Sequence, residues 1–181
     1  AAVVYDLRSS WAVKEAIAAA GGEPVRDRVG HSFIKATMRE KGAIFGGELS
    51  GHYYWQIAHT TDNGMLAMLA VLRLLSTTGQ PLSALVADLR RYHATGEINF
   101  RVESTEAKFA EVRAAFPDAR QDDLDGVTVE VGDLGDEQWW WANIRASNTE
   151  PLLRLNLEAS SADFMIERRD ALIALLGDRE D

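Results

Sequence analysis

The chain has 181 residues, 46% hydrophobic and 26% charged, with no cysteine and a net charge of -9. Length and composition fit an ordinary globular protein of one large or two small domains. They exclude disulfides and thiolate metal sites, and no apolar run approaches the ~20 residues of a membrane span. The charge is unevenly placed: residues 1–95 hold 10 Lys/Arg against 8 Asp/Glu, and residues 96–181 hold 9 against 20. The acidic second part repels nucleic acid and anionic membrane at long range, so neither is expected as a partner. Any anion it takes must be held by short, directed contacts. The start, "AAVVYDLRSS", has no initiator methionine and no signal-peptide pattern. It opens inside what reads as a strand, so a fragment or a processed chain is expected.

In chain order, "AAVVYDL" reads as a buried strand, and "SWAVKEAIAAAGGE" as a helix with Ser10 as N-cap and Gly21-Gly22 as its stop. "EPVRDRV" is a second, weaker strand. "HSFIKATMREKG" is a helix with apolar Phe33, Ile34 and Met38, and "AIFGGE" a third strand ended by glycines. Strand and helix alternating in this way imply an α/β layer on a mainly parallel sheet. "GHYYWQIAHTTDNG" has no period and reads as a loop. "NGMLAMLAVLRLLSTTG" and "PLSALVADLRRYHATG" read as two helices, apolar almost all round and therefore expected to be buried.

From Glu97 the pattern changes. "EINFRV" alternates as a strand, and "STEAKFAEVRAAFP" is a helix with Ser104 as N-cap. "DGVTVEV" is a strand after an Asp-Gly turn; "WWWANIR" and "LLRLNLEA" are two more, and "SADFMIERRDALIALLG" is an amphipathic helix. The expected architecture is a three-layer α/β domain over residues 1–95. A smaller α+β domain over residues 96–181 follows, with an antiparallel-leaning sheet and helices on one face.

Two loops carry candidate chemistry. In "IRASNTEPLLRL", Arg145 offers a planar fork of donors for phosphate or carboxylate. Ser147 and Thr149 add hydroxyls, Asn148 adds an amide, and Pro151 ends the turn. The set suits a phosphate monoester; the same side chains also suit mutual capping in a hairpin. In "FGGELSGHYYW", Gly46, Gly47 and Gly51 bare the backbone on both sides of Glu48, Leu49 and Ser50. The two oxygens of Glu48 match two neighbouring hydroxyls of a sugar ring. Ser50 and His52 add polar contacts, and Tyr53, Tyr54 or Trp55 would form a wall. The alternative is a glycine-rich strand end with a capping glutamate. Lys35 reads as a solvated charge, His59 and His93 as structural or surface residues, and Asp62 as an N-cap. Arg154 reads as a support for the phosphate loop or as one half of a cross-strand ion pair. "DDLDG" and "GDLGDE" read as solvated acidic turns.

Together "GGELSGH" and "RASNTEPLLRLNLEA" resemble the sugar- and phosphate-recognition loops of the α-D-phosphohexomutase superfamily, in its phosphomannomutase/phosphoglucomutase branch. The resemblance covers the whole chain as the third domain, short of its first segment, and the fourth domain of a four-domain protein. It implies interconversion of hexose 1-phosphate and hexose 6-phosphate through a hexose 1,6-bisphosphate intermediate. A phosphoserine and a Mg²⁺ loop of DGDxDR type would lie in N-terminal domains of the same protein; neither motif occurs here. The resemblance therefore places no catalytic residue and no metal ligand in this chain, and the chain alone is expected to be inactive. It assigns Arg145, Ser147, Asn148 and Thr149 to phosphate, and Glu48 and Ser50 to sugar hydroxyls. His31 of "GHS" lies near the substrate, and Gly47, Gly51 and His52 have supporting roles. Arg8 stands where the family usually has lysine and is expected to face phosphate. The implied partner is a phosphosugar, the protein a cytoplasmic monomer. A non-catalytic phosphosugar-binding module is the alternative.

Overall fold

The computed structural model describes residues 1–147 and 152–180. Contacts divide the chain between Arg91 and Tyr92 into two compact units. Among the described residues no helix is long and apolar enough to cross a membrane.

The first unit runs β1 (Ala2–Asp6), α1 (Trp11–Ala19), β2 (Glu23–Asp27), α2 (His31–Lys41), β3 (Phe45–Gly47), β4 (Tyr53–Trp55), a 3₁₀ turn (Gln56–Ala58), β5 (Thr61–Asp62), α3 (Gly64–Thr78) and α4 (Leu82–Ala87). The sheet order is β2-β1-β3-β4-β5. β1 pairs in parallel with β2 and β3, whereas β4 and β5 extend the edge antiparallel. Because successive strand residues face opposite ways, the sheet has a helix on each side. Val4 and Gly46 meet Ile34 and Met38 of α2. Val3, Tyr5 and Phe45 share a cavity wall with Val13 and Ile17 of α1. The three layers expected from the strand–helix alternation are present. Ser10 caps α1 by accepting from the Ala12 N–H. Gly46 is demanded by packing: a Cβ there would lie 2.8 Å from Met38 Sδ and 2.9 Å from Ile34 Cγ2.

Three expectations for this unit change. The segment read as a loop, 51–64, contains β4 and β5, strands too short to show a period. The helix expected to run to Gly96 ends at Ala87, and the second unit's first strand begins at His93. The two apolar helices are not buried: no residue of α3 or α4 falls in the buried class. A cavity of about 500 Å³ is lined by Phe45, Tyr53 and Trp55 of the sheet and by Met68, Val71 and Leu72 of α3.

The second unit contains β6 (His93–Phe100), α5 (Thr105–Ala115), β7 (Arg120–Asp122), β8 (Val127–Val131), β9 (Trp140–Ala146), β10 (Leu153–Ala159), α6 (Ala162–Leu176) and β11 (Arg179–Glu180). The order is β11-β6-β10-β9-β8-β7, with antiparallel pairing throughout the described residues. Phe100, Val129, Ile144, Leu155 and Leu157 point to one face, where Val112 of α5 and Leu172 and Leu176 of α6 complete the core. Helices thus cover one face, as the alternation implies. Ser104 and Ser161 cap α5 and α6 by accepting from the Ala107 and Phe164 N–H groups. Trp140 and Trp141 of β9 follow the pleat. Trp140 enters the core, edge-on to Phe116 at 5.1 Å. Trp141 faces the other side and donates its indole N–H to Glu158 Oε2 at 3.0 Å.

Candidate functional site

The loop after β3 is a tight reversal. The Glu48 N–H donates to the His52 carbonyl at 3.0 Å, and the Gly51 N–H to the Glu48 carbonyl at 3.0 Å. Gly51 sits at φ +84, a conformation side-chain-bearing residues rarely adopt. The turn exposes Ser50 and His52 and buries Glu48 to 8% of its surface. An ionised carboxylate at that depth requires partners. The hydroxyl of Tyr54, a fully buried residue of β4, donates to Glu48 Oε1. Burial and the adjacent Glu48 carboxylate push the Tyr54 phenol above its ordinary pKa. It therefore stays protonated and donating at neutral pH. Tyr54 supports the glutamate from below rather than forming a wall of the cleft.

Asp6, at the end of β1, ties this loop to the turn before α1. Its Oδ1 accepts from the Arg8 N–H at 2.9 Å and from Ser9 Oγ at 3.4 Å. Its Oδ2 accepts from Arg8 Nη2 at 2.6 Å and from the Leu49 N–H, 43 residues along the chain, at 3.0 Å. Arg8 Nη2 also lies 4.0 Å from Glu48 Oε2. Arg8, read as a phosphate ligand, is thus placed beside the glutamate read as a sugar ligand. Sequence reasoning missed Asp6 altogether; its only local signal is the "DLR" spacing, in which an acid precedes an arginine by two.

His52 is oriented by Asp62. Its Nδ1 donates to Asp62 Oδ2 at 2.7 Å, while Asp62 Oδ1 accepts from the Tyr53 N–H at 2.9 Å. The His52 hydrogen bond, then the Tyr53 N–H, hold the Asp62 carboxyl below its ordinary value. Asp62 is not the cap of α3. Asn63 caps it, accepting from the Leu66 N–H at 3.0 Å, because β5 aims Asp62 back across the sheet at β4. Lys35, read as a solvated charge, reaches over Tyr54, its Nζ 5.5 Å from the ring centroid. Its charge adds to the lowering at Asp62. His31 is exposed at the first position of α2.

In the second unit, Arg145 occupies the penultimate position of β9 and faces away from the core, yet it is only 3% exposed. It stands directly opposite Arg154 of β10, an unfavourable like-charge pair. Glu97 of β6 resolves the conflict: Oε2 takes Arg145 Nη2 at 3.2 Å and Oε1 takes Arg154 Nη1 at 3.0 Å. The ion pair expected for Arg154 is present, and its partner Glu97 also braces Arg145. The Ser147 N–H donates to the Leu152 carbonyl at 2.8 Å, closing the hairpin. Asn148 and Thr149 lie outside the described residues. Gly126 allows the start of β8 to press on this point: at φ +75, a Cβ there would lie 2.2 Å from the Ile144 carbonyl oxygen and 2.7 Å from Arg145 Cα. Among the described residues no three His, Asp or Glu side chains converge to hold a metal ion. The acidic run around Asp133 is a turn, with the Asp133 N–H donating to Asp136 Oδ2.

Comparison with known proteins converges on one group. Residues 1–92 match the model for the phosphoglucomutase/phosphomannomutase alpha/beta/alpha domain III, and residues 97–175 the model for the C-terminal domain of the same family. The chain is 39% identical over 177 residues to the phosphohexose mutases of Xanthomonas campestris pv. campestris strain B100, covering 96% of this chain and 38% of that protein. It is 38% identical over 176 residues to the phosphomannomutase of Methanocaldococcus jannaschii, covering 97% and 38%. A crystal structure of a phosphoglucomutase/phosphomannomutase family protein from Burkholderia thailandensis superimposes with a TM-score of 0.80 at 29% identity, covering 99% of this chain and 39% of that one. The chain thus spans about two fifths of the length of the relatives it matches.

Proposed function

The chain belongs to the phosphoglucomutase/phosphomannomutase family, and from that membership we propose that it is the substrate-recognition portion of a phosphohexomutase. The whole protein would be a cytoplasmic isomerase that moves a phosphoryl group between O1 and O6 of a hexose by way of a hexose 1,6-bisphosphate. In this proposal Glu48 and Ser50 take sugar hydroxyls, with His31 close to the ligand and His52, Gly47 and Gly51 shaping the loop. Arg145, Ser147, Asn148 and Thr149 take phosphate oxygens, and Arg8 adds a cation beside Glu48. The phosphoserine that donates the phosphoryl group, and a Mg²⁺ that would screen its charge, are assigned to sequence outside these 181 residues.

The observation that carries the proposal is the state of Glu48, a carboxylate buried to 8% at the tip of a glycine-bordered turn and braced by Tyr54. Burying a carboxylate costs free energy that a plain strand end has no reason to bear. A ligand whose hydroxyl replaces lost water supplies the reason. At the other loop, a guanidinium withdrawn from solvent makes stronger, directional bonds to phosphate than a solvated lysine would. The bisphosphorylated intermediate presents a phosphate at each end. Contacts to phosphate and to ring hydroxyls therefore serve either orientation.

Titrating the chain with glucose 1-phosphate and with glucose, by NMR or calorimetry, tests the assignment. Binding is expected to require the phosphate and to weaken at least about tenfold, ~1.4 kcal/mol, in Arg145→Ala. Equal binding by the variant and the wild type would refute the role given to Arg145.

A further inference from the structure

Resting on the function proposed above, we infer that Tyr54 is a positioning residue that fixes the direction in which Glu48 offers its carboxylate to a sugar hydroxyl. The two oxygens of Glu48 are not equivalent. Oε1 is engaged from inside the unit by the Tyr54 hydroxyl. Oε2 lies toward the turn, 4.0 Å from Arg8 Nη2, which Asp6 holds in place. The Tyr54 bond fixes how the two oxygens are set relative to the turn.

The brace is rigid on both sides. The Tyr54 ring is fully buried with Val4, Ile34 and Met38, and its backbone is fixed by pairing with Gly46 and Asp62. The peptide after Glu48 is anchored separately, through the Leu49 N–H on Asp6. Glu48 therefore cannot turn its carboxylate unless the Tyr54 bond breaks. The brace thus sets hydroxyl selectivity as well as affinity.

The test uses the 181-residue chain as wild type, Tyr54→Phe and Glu48→Gln, each titrated with glucose 1-phosphate and its 2-, 3- and 4-deoxy analogues. Glu48→Gln identifies the hydroxyl that Glu48 reads, as the one whose removal no longer matters in that variant. In the wild type, loss of that hydroxyl is expected to weaken binding about tenfold or more. Tyr54→Phe keeps the ring and the packing, and is expected to cut that one penalty to about threefold or less while leaving the other two unchanged. A Tyr54→Phe chain that retains all three penalties, or weakens every analogue by the same factor, overturns the inference while leaving the function of Glu48 intact. A Glu48→Gln chain with unaltered penalties, or a wild type that binds none of the probes, overturns the proposed function and this inference with it. A measurement on the wild type alone guards against misfolding of the variants. The Tyr54 hydroxyl proton should be visible by NMR as slowly exchanging and should remain so at saturating glucose 1-phosphate. Its loss on binding would show that the brace opens, contrary to the inference.

Discussion

Glu48 and His52 lie four residues apart on one turn, and each is fixed by a different kind of partner. The glutamate has a neutral donor from the core, Tyr54; the histidine has a charged acceptor at the surface, Asp62. The second pair carries a pH signature. The Asp62 carboxyl is held below its ordinary value of 3.8. A carboxyl whose folded value is depressed stabilises the fold above the unfolded value, and that contribution fades as pH falls through the lowered folded value. Asp62→Asn is therefore expected to be less stable than wild type at pH 6, with the gap closing as pH drops below about 4. His52 and Asp62 side chains are 53% and 37% exposed, so solvent screening keeps the gap under about 1 kcal/mol. Urea melts of both proteins between pH 3 and 6 check this; a gap independent of pH would mean that the His52 contact does not hold the charge. The pair was invisible in the sequence. "TDNG" offers two capping residues in a row, and only the short pairing of β4 with β5 decides that Asn63 caps while Asp62 turns to the histidine.

Short elements and glycines do most to place the candidate loops. Gly126 shows why the Asp-Gly turn before β8 had to end in glycine. Its φ of +75 disfavours any side chain, and a Cβ would collide with the backbone of Ile144 and Arg145. Backbone cannot retreat as a flexible side chain can. Gly126→Ala is accordingly expected to destabilise the second unit by at least about 2 kcal/mol and to disturb the β9 end that carries Arg145. Chemical denaturation and the amide NMR signals of residues 143–147 would check this; a wild-type midpoint with unshifted signals would contradict it. Gly46 faces a softer obstacle, the Met38 and Ile34 side chains, so Gly46→Ala is a milder overpacking of α2 on β3. The elements that escaped a local reading share a cause. β4, β5, β7 and β11 span only two or three residues each. β6 begins at His93 because Ala159 pairs with it, and a strand 60 residues later leaves no periodicity in "RRYHATG".

At the scale of the molecule, the chain covers 38% of the length of its phosphohexose mutase relatives, and its sequence holds neither a phosphoserine-type donor loop nor a DGDxDR-like loop. The purified 181-residue chain is therefore expected to give no interconversion of glucose 1-phosphate and glucose 6-phosphate above the uncatalysed rate, with or without Mg²⁺ and hexose 1,6-bisphosphate. A coupled assay measures this directly, and turnover proportional to chain concentration would defeat the expectation. The first unit also carries a surface of large apolar side chains on α3, with Met65, Met68, Leu69 and Leu72 each about half exposed or more. An all-round apolar helix is usually buried, and this is where the sequence expectation and the described residues part most clearly.

The sequence by itself determined what is local. Serine caps, glycine stops and the alternation of strand and helix gave three layers in the first unit. Period-two strands gave an antiparallel sheet in the second, and the two polar loops marked the candidate site. Only the tertiary structure decided who holds whom: Tyr54 under Glu48, Asp6 on Leu49, Asp62 on His52, and Glu97 shared between Arg145 and Arg154. The physical reason is that caps, turns and periodicity act over a few residues. A buried carboxylate finds its partner through sheet register, which brings together residues as far apart as Glu97 and Arg145 with no trace in the stretch around either one.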